Sequence, residues 1–449
     1  MASAVEQLAK NANWGALAKA TELKQRVLFV LGALLVYRLG TYIPVPGIDP
    51  IVWKEIFESK GGGILDMFNM FSGGALSRMT IFALNIMPYI SASIIMQLAT
   101  SMSKNLEELK KEGDVGRMKI NQYTRYLTVL LATVQAYGLA VGLEAMEGAG
   151  GSAVIDPGLF FRVSTVITIV GGTIFLMWLG EQITSRGVGN GISLIIFSGI
   201  VAGLPRAVAS MLELTRQGTF SGFTLLLLTA MVIAVIALIV YVERAYRRVI
   251  VQYPKRMVGN QMAQGQTNHI PLKLNTAGVI PPIFASSLLF MPLTIVNFAD
   301  LNGSDFWSGV TRNLQHGEPV FMVIYGLLIT FFCFFYTAIV FNPEENAETL
   351  RKYGGFVPGI RPGKNTADHL DYILTRISTI GALYLVFICL LPEFLISKYS
   401  MPFYFGGTSL LIVVSVTMDT VAQIHSHLIA HQYEGLVKKS KLRGRSRRR

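Results

Sequence analysis

Ten stretches of mostly apolar residues recur along the chain, centred near Leu34, Ile90, Leu131, Ile169, Phe197, Ile233, Leu288, Ile329, Leu385 and Val413. Each reaches or approaches the roughly 20 residues that a helix needs to cross the hydrocarbon of a bilayer. With 52% hydrophobic and only 15% charged residues, the chain is composed for lipid rather than water as its solvent. In lipid every backbone N–H and C=O must be paired within the protein, which leaves helices or a closed barrel. The runs Leu225 to Val242 and Val320 to Phe341 are too long for barrel strands, so the expected class is an all-α integral membrane protein with ten transmembrane helices.

The formal net charge of +12 lies between these runs, where it sets orientation. Lys and Arg collect before the first span (Lys10, Lys19, Lys24, Arg26) and in alternate connections thereafter (Lys104 to Arg125, Arg244 to Arg256, Arg351 to Lys364, Lys438 to Arg449). The intervening connections carry few. Basic loops stay cytoplasmic, so both termini are placed inside. The first span is expected to remain: about 25 mostly polar residues precede it, and Pro44-Val45-Pro46-Gly47 follows in place of a cleavage site. Inverted halves are common in transport folds, and a split near Gly218 divides the chain into a cytoplasmic segment 1–26, an N-terminal half 27–217, a C-terminal half 218–427 and a basic cytoplasmic tail 428–449. The cytoplasmic loops of the second half fall at about 243–272 and 342–372.

Several segments are not ordinary spans. Ile64 to Ser72 is too short to cross, is rich in Met and Phe, and lies between Gly61-Gly62-Gly63 and Gly73-Gly74. It reads either as a surface amphipathic turn or as a re-entrant element hinged by glycines, and periodicity does not choose. Pro88 is expected to interrupt a helix that also carries Asn85, Ser91, Ser93 and Gln97. Gly187 to Gly191 and Asn275 to Pro282 are further breaks. Any one small residue is ordinary helix packing; the grouping of breaks with polar residues points to a conduit. Charges inside the spans are scarce, with Arg38 expected to snorkel, Glu181 at a loop and Asp419 near an inner end. That scarcity argues against an ion-coupled transporter.

Chemistry is not indicated. There is no phosphate-binding Gly-x4-Gly-Lys-Ser/Thr loop, and Gly187, Gly189 and Gly191 have the wrong spacing for a dinucleotide site. Cys333 and Cys389 sit in apolar runs as small hydrophobes. His427 and His431 share a helix face near His425 but lack a third ligand, so no metal and no cofactor are expected. No serine or cysteine has a recognisable base nearby, so the chain is read as a non-enzyme. The long basic loops Tyr241 to His269 and Asn342 to Tyr372, mixed with aromatics and proline, suit either docking of a large partner or plain solvation.

Phe68-Asn-Met-Phe-Ser-Gly-Gly-Ala-Leu-Ser-Arg78, Met87-Pro-Tyr-Ile-Ser-Ala-Ser93, Gly180-Glu-Gln-Ile-Thr184, Gly187 to Ser193, Phe356-Val-Pro-Gly-Ile-Arg-Pro-Gly363 and Pro402-Phe-Tyr-Phe-Gly-Gly-Thr-Ser409 resemble the bacterial SecY family, in order and spacing from about Lys24 to Tyr433. The resemblance implies two pseudo-symmetric five-helix halves around an hourglass pore. It implies a protein-conducting channel of the bacterial plasma (inner) membrane that binds signal sequences, passes unfolded secretory chains and releases transmembrane segments sideways into lipid. The motor SecA with ATP, or the translating ribosome, would drive it; SecE and SecG would accompany it, and YidC, SecDF and membrane lipids would be further partners.

The same resemblance implies a plug over about 64–75, with Ile64, Leu65, Met67, Phe68, Asn69, Met70 and Phe71, and a pore ring of Ile86, Ile90, Ile192, Ile196, Ile283 and Ile412 acting as an apolar gasket. It places Ser91, Gln135 and Asn275 at a lateral gate, and Lys255, Arg256 and Arg361 at a SecA or ribosome docking surface. Asn260, Gln261 and Met262 stand where many relatives are basic, and Gln266-Thr-Asn-His replaces a commoner Gln-Ser-Thr-His, which weakens the expectation of ribosome contact there. The tail from Lys438 suits anionic lipid or ribosome as well as a simple topogenic role.

Overall fold

The structure, a computed structural model, describes residues 21–60, 69–145, 147–148, 151–218, 222–254, 256–258, 261–263, 267–298, 313, 318–399 and 407–446. In chain order the elements are α1 (Thr21–Gly40), α2 (Pro50–Lys60), α3 (Met87–Met102), α4 (Lys104–Lys111), α5 (Asp114–Ala145), β1 (Glu147–Gly148), β2 (Gly151–Ser152), α6 (Leu159–Arg186), α7 (Gly191–Arg216) and α8 (Gly222–Glu243). There follow β3 (Tyr246–Gln252), β4 (Arg256–Val258), β5 (Gln261–Ala263), β6 (Thr267–Lys273), α9 (Ile280–Phe298), α10 (Pro319–Val340), α11 (Pro343–Lys352), α12 (Lys364–Tyr399) and α13 (Gly407–Ser446).

Among the described residues, seven helical runs are both long and apolar enough to cross a membrane: those of α5, α6, α7, α8, α10, α12 and α13. The other three apolar segments form α1, α3 and α9. Glu22, Lys24, Arg26 and Arg38 dilute α1, and α3 has only 16 residues because the chain before it is coiled into turns. Pro88 therefore does not interrupt a helix, as its position in an apolar run led us to expect; it opens one. A proline in the first turn forfeits no intrahelical bond and carries the right φ already. Prolines do lie inside other helices: Pro205 in α7, Pro292 in α9 and Pro392 in α12.

The chain divides into two compact units. In the first (Met1–Arg206, Thr294–Asn302 and Val416–Arg449), α5 packs on α6 and α3, and α1 packs on α6. Two ion pairs pin the α5–α6 hairpin at its ends. Arg125 donates to both Glu181 carboxylate oxygens at 2.8 and 2.9 Å, and Arg162 donates to Glu144 at 2.6 and 2.8 Å while the Gly158 N–H donates to the same carboxylate. Glu181 thus belongs to a helix rather than to a loop. A core of Val45, Trp53, Ile56, Leu76, Met79, Leu84, Leu139, Leu143, Phe161 and Ile169 ties α2 and the turns before α3 to that hairpin. A smaller cluster of Leu23, Val188 and Leu428 joins α1, the break before α7 and α13.

In the second unit (Ala207–Leu293 and Gly303–Ser415), α10 packs on α12, and the Tyr325 and Thr408 hydroxyls meet at 2.9 Å. Glu393, buried inside α12, adds an intramembrane acid to those found from sequence. Gly407 lets the start of α13 touch α12, since a Cβ there would overlap the Ile388 carbonyl oxygen.

Outside the spans, β3 and β6 pair antiparallel from Tyr246↔Lys273 to Gln252↔Thr267, and β4 and β5 pair beyond them. The all-α expectation holds for the membrane region, but these loops form strands. In β3 the alternation of exposed Arg248 and Ile250 with buried Val249 and Val251 is the period-2 pattern of a half-buried strand.

Candidate functional site

From Asn69 to Ile86 the backbone runs from a helix end at Phe71 into a series of turns, and many of its groups are held by side chains. Side chains from α1 reach them: the Tyr37 hydroxyl donates to the Ser72 carbonyl at 3.3 Å, and Arg38 Nη1 donates to the Gly73 carbonyl at 2.7 Å. Arg38 therefore spends its charge on the protein backbone rather than snorkelling to water alone. Trp53 Nε1 donates to the Leu76 carbonyl at 3.0 Å, and Asn85 Nδ2 to the Phe71 carbonyl at 2.7 Å. Within the segment, Arg78 donates to the carbonyls of Gly73 and Gly74, and the Ser77 N–H donates to Asn69 Oδ1.

Arg78 also lies over the Tyr42 ring, 4.0 Å from its centre, with Arg38 at 5.3 Å. A hydrogen bond from Arg78 and the two nearby charges hold the Tyr42 phenol below its ordinary range. The fold brings α7 against the segment by way of Gly199: a Cβ there would lie 2.5 Å from the Phe71 carbonyl oxygen and 3.2 Å from the Gly73 nitrogen. Of the plug residues, Asn69, Met70 and Phe71 are in this region, with Phe71 buried, whereas Ile64, Leu65, Met67 and Phe68 lie outside the described residues.

The isoleucines of the expected ring divide between the units. Ile86, Ile90, Ile192 and Ile196 belong to the first, Ile283 and Ile412 to the second. Ile86, Ile90, Ile196 and Ile412 are buried, while Ile192 and Ile283 are half-buried. Each stands within the first two turns of its helix or just before it: Ile86 caps α3, Ile192 and Ile283 are in the first turns of α7 and α9, and Ile412 is in the second turn of α13.

The three expected gate residues differ in their bonding. Ser91 is buried in α3, and Gln135, half-buried in α5, has an Oε1 sheltered from solvent without a partner. In the second unit Asn275 is buried just before α9, where its Nδ2 donates to Glu243 at 2.7 Å and to the Gly278 carbonyl at 3.0 Å, leaving Oδ1 unpartnered.

On the loop side of the second unit, the stretch 353–363 bonds directly to the β3–β6 hairpin. Gln252 and Phe356 exchange both backbone hydrogen bonds at 2.9 Å. Val249, Val251, Leu272, Val357, Leu370, Ile373 and Ile377 close over a shared core, with Ile360 packed at its side. Gly359 and Gly363 adopt positive φ on either side of Arg361, which is exposed. Ile360 is thus an anchor that holds the neighbouring arginine outward. Arg256 lies in β4, and Lys255 lies outside the described residues, as do Gly259 and Asn260. Sequence reasoning named these loops as separate basic segments; the pairing that makes them one platform has no local signal beyond the alternation in β3.

The SecY family profile matches residues 80–421. The protein translocase subunit SecY of Rickettsia felis is 56% identical over 422 residues, 94% of this chain and 97% of that protein. The counterpart in Escherichia coli K12 is 54% identical over 427 residues, 95% and 96% of the two chains. Among solved structures, one described as a protein-conducting channel superposes with a TM-score of 0.65 at 18% identity over 90% of this chain and 92% of that one. Sec61 in the canine ribosome–channel complex from the endoplasmic reticulum does so with a TM-score of 0.59 at 18% identity, again over 90% and 92%. That likeness is one of fold.

Proposed function

The chain belongs to the SecY family, and we propose from that premise that it is the central channel subunit of a protein translocase, a passive gated route for unfolded chains and for apolar segments that leave sideways into lipid. The observation that carries this reading is identity above one half with translocase SecY subunits over almost the whole chain. The chain is multi-pass, and its place is the bacterial plasma membrane with both termini cytoplasmic, as the Lys and Arg distribution supports. The five-plus-five division of spans belongs to this reading.

In it the six isoleucines supply an apolar constriction that resists ions because water and charge gain nothing from its walls. The 64–75 segment acts as plug, and Ser91, Gln135 and Asn275 as polar seam. A signal sequence opens the seam by replacing weak polar contacts, each worth on the order of 1 kcal/mol, with apolar burial. Lys255, Arg256 and Arg361 serve the motor or the ribosome, with SecE and SecG alongside; the energy for movement comes from those partners, and the chain itself catalyses nothing. The ribosome reading draws support from the fold shared with the canine ribosome-bound channel.

The test is reconstitution with SecE in proteoliposomes, with SecA, ATP and a preprotein added. Protease-protected preprotein that depends on ATP is the expected result. Vesicles with correctly inserted protein and active SecA that protect none would instead favour a small-molecule transporter.

A further inference from the structure

Four consecutive carbonyl groups at the end of the plug region are each held by side chains. Phe71 O accepts from Asn85 Nδ2 at 2.7 Å, Ser72 O from the Tyr37 hydroxyl at 3.3 Å, Gly73 O from Arg38 at 2.7 Å and Arg78 at 3.1 Å, and Gly74 O from Arg78 Nε at 3.0 Å and the Ser77 hydroxyl at 3.1 Å. Irregular backbone needs such partners when it is shielded from water, but here the donors come from three places: the end of α1, the turns at Ser77 and Arg78, and Asn85, two residues ahead of α3. Among the described residues neither Arg38 nor Arg78 is paired with a carboxylate; carbonyl oxygens and the Tyr42 ring take that place.

Asn85 is the telling member. It is buried and holds a φ of 49°, one of two non-glycine residues with positive φ among those described; the other, Met79, lies in the same run of turns. That conformation is unfavourable for an ordinary side chain, and glycine would avoid the cost. What asparagine adds is the amide that reaches Phe71 O. Gly199 completes the arrangement, for the α7 backbone meets residues 71–73 with no side chain between them.

We propose that Asn85 and Arg38 are positioning residues that hold residues 71–74 as a fixed rack, so that the root of the seal stays in place while a polypeptide passes. The inference rests on the channel reading. Loss of Asn85 removes the side-chain donor to the Phe71 carbonyl, and loss of Arg38 leaves the Gly73 carbonyl with Arg78 alone; either loosens the root without touching the isoleucines.

The experiment uses the full chain with SecE in proteoliposomes, carrying Ser77→Cys as reporter in the parent and in every variant; Ser77 is half-buried, its hydroxyl donates to the Gly74 carbonyl, which keeps Arg78 when Ser77 is replaced and is not a carbonyl that the variants release, and the native Cys333 and Cys389 are buried. Labelling by a membrane-impermeant maleimide and leak of small ions are read at rest and with an arrested preprotein. In the reporter background, labelling is expected to stay slow in both states. Asn85→Gly, which keeps the backbone relaxed, and Arg38→Met should each raise labelling and leak about three- to tenfold at rest, the range one lost hydrogen bond allows. The proposal is overturned if labelling in the reporter background rises on arrest to the level of the variants, since the root then moves with the plug. It is equally overturned if both variants, with unchanged melting temperature, remain within about twofold of the parent. If Arg38→Met does not insert, Asn85→Gly alone decides between these outcomes. Failure of the parent to translocate any preprotein would sink the channel reading while leaving the labelling result to judge the rack.

Discussion

The segment at 69–86 and the loop stretch 353–363 are both largely irregular, each with a glycine pair and a single arginine, yet they are held in different ways. In the first, Arg38 and Arg78 turn inward onto carbonyl oxygens, and even Gly199 of a neighbouring helix touches the backbone. In the second, backbone pairing of Gln252 with Phe356 and a core around Leu370 supply the rigidity, which leaves Arg361 exposed between two positive-φ glycines. The same residue type is thus used in two ways, decided by whether an apolar core or the charge itself holds the backbone; in the proposed channel the first arrangement would seal and the second would recruit a partner.

That contrast can be broken by substitution. The largest effect expected is for Arg361→Glu: reversing an exposed interface charge should cut SecA-driven protection of preprotein by on the order of 30-fold or more, with thermal stability and ion leak unchanged. A leak in that variant would mean that the platform also seals. Leu370→Ala, which empties a fully buried site in the shared core, should destabilise the second unit by about 2–5 kcal/mol and speed proteolysis within 353–363, again without ion leak. Gly199→Leu should act in the opposite sense, costing about 1–3 kcal/mol and raising leak, because its side chain must displace the Phe71 and Gly73 backbone. The smallest effect belongs to Glu144→Gln, where removing one partner of a partly exposed ion pair should lower stability by about 1 kcal/mol and leave both leak and motor response alone. Equal leak from Leu370→Ala and Gly199→Leu would erase the distinction between the regions.

Much of the fold is legible in the chain because lipid imposes one demand, long apolar runs, that composition satisfies openly. The ten runs appear as helices, and the breaks at Gly187 to Gly191 and before Ile280 appear where glycine, asparagine and paired prolines stand. What local pattern does not carry is partnership at a distance. Pro88 looked like an interruption because the turns before it are themselves apolar, so hydropathy gives no sign that the helix has yet to begin. Arg38 looked like an interfacial snorkel because nothing near it in sequence names Gly73 as its acceptor. Glu243 and Glu393 went unremarked because each sits at or near the end of an apolar run, where an acid is ordinary; the bond from Asn275 to Glu243 is visible only once the strands bring 243 and 275 together. The functional residues themselves were placed by resemblance, since isoleucine in a membrane helix is unremarkable by composition.

The central claim, that polypeptide passes through this chain at its isoleucines, is tested most directly by a photo-crosslinking amino acid placed in turn at Ile90, Ile192, Ile283 and Ile412, with a preprotein arrested midway by a folded tail. The account predicts adducts to the arrested chain from positions in both units, dependent on ATP and lost when the preprotein is omitted. Adducts from none of the four, in vesicles that still protect the preprotein, would contradict it and place the path elsewhere.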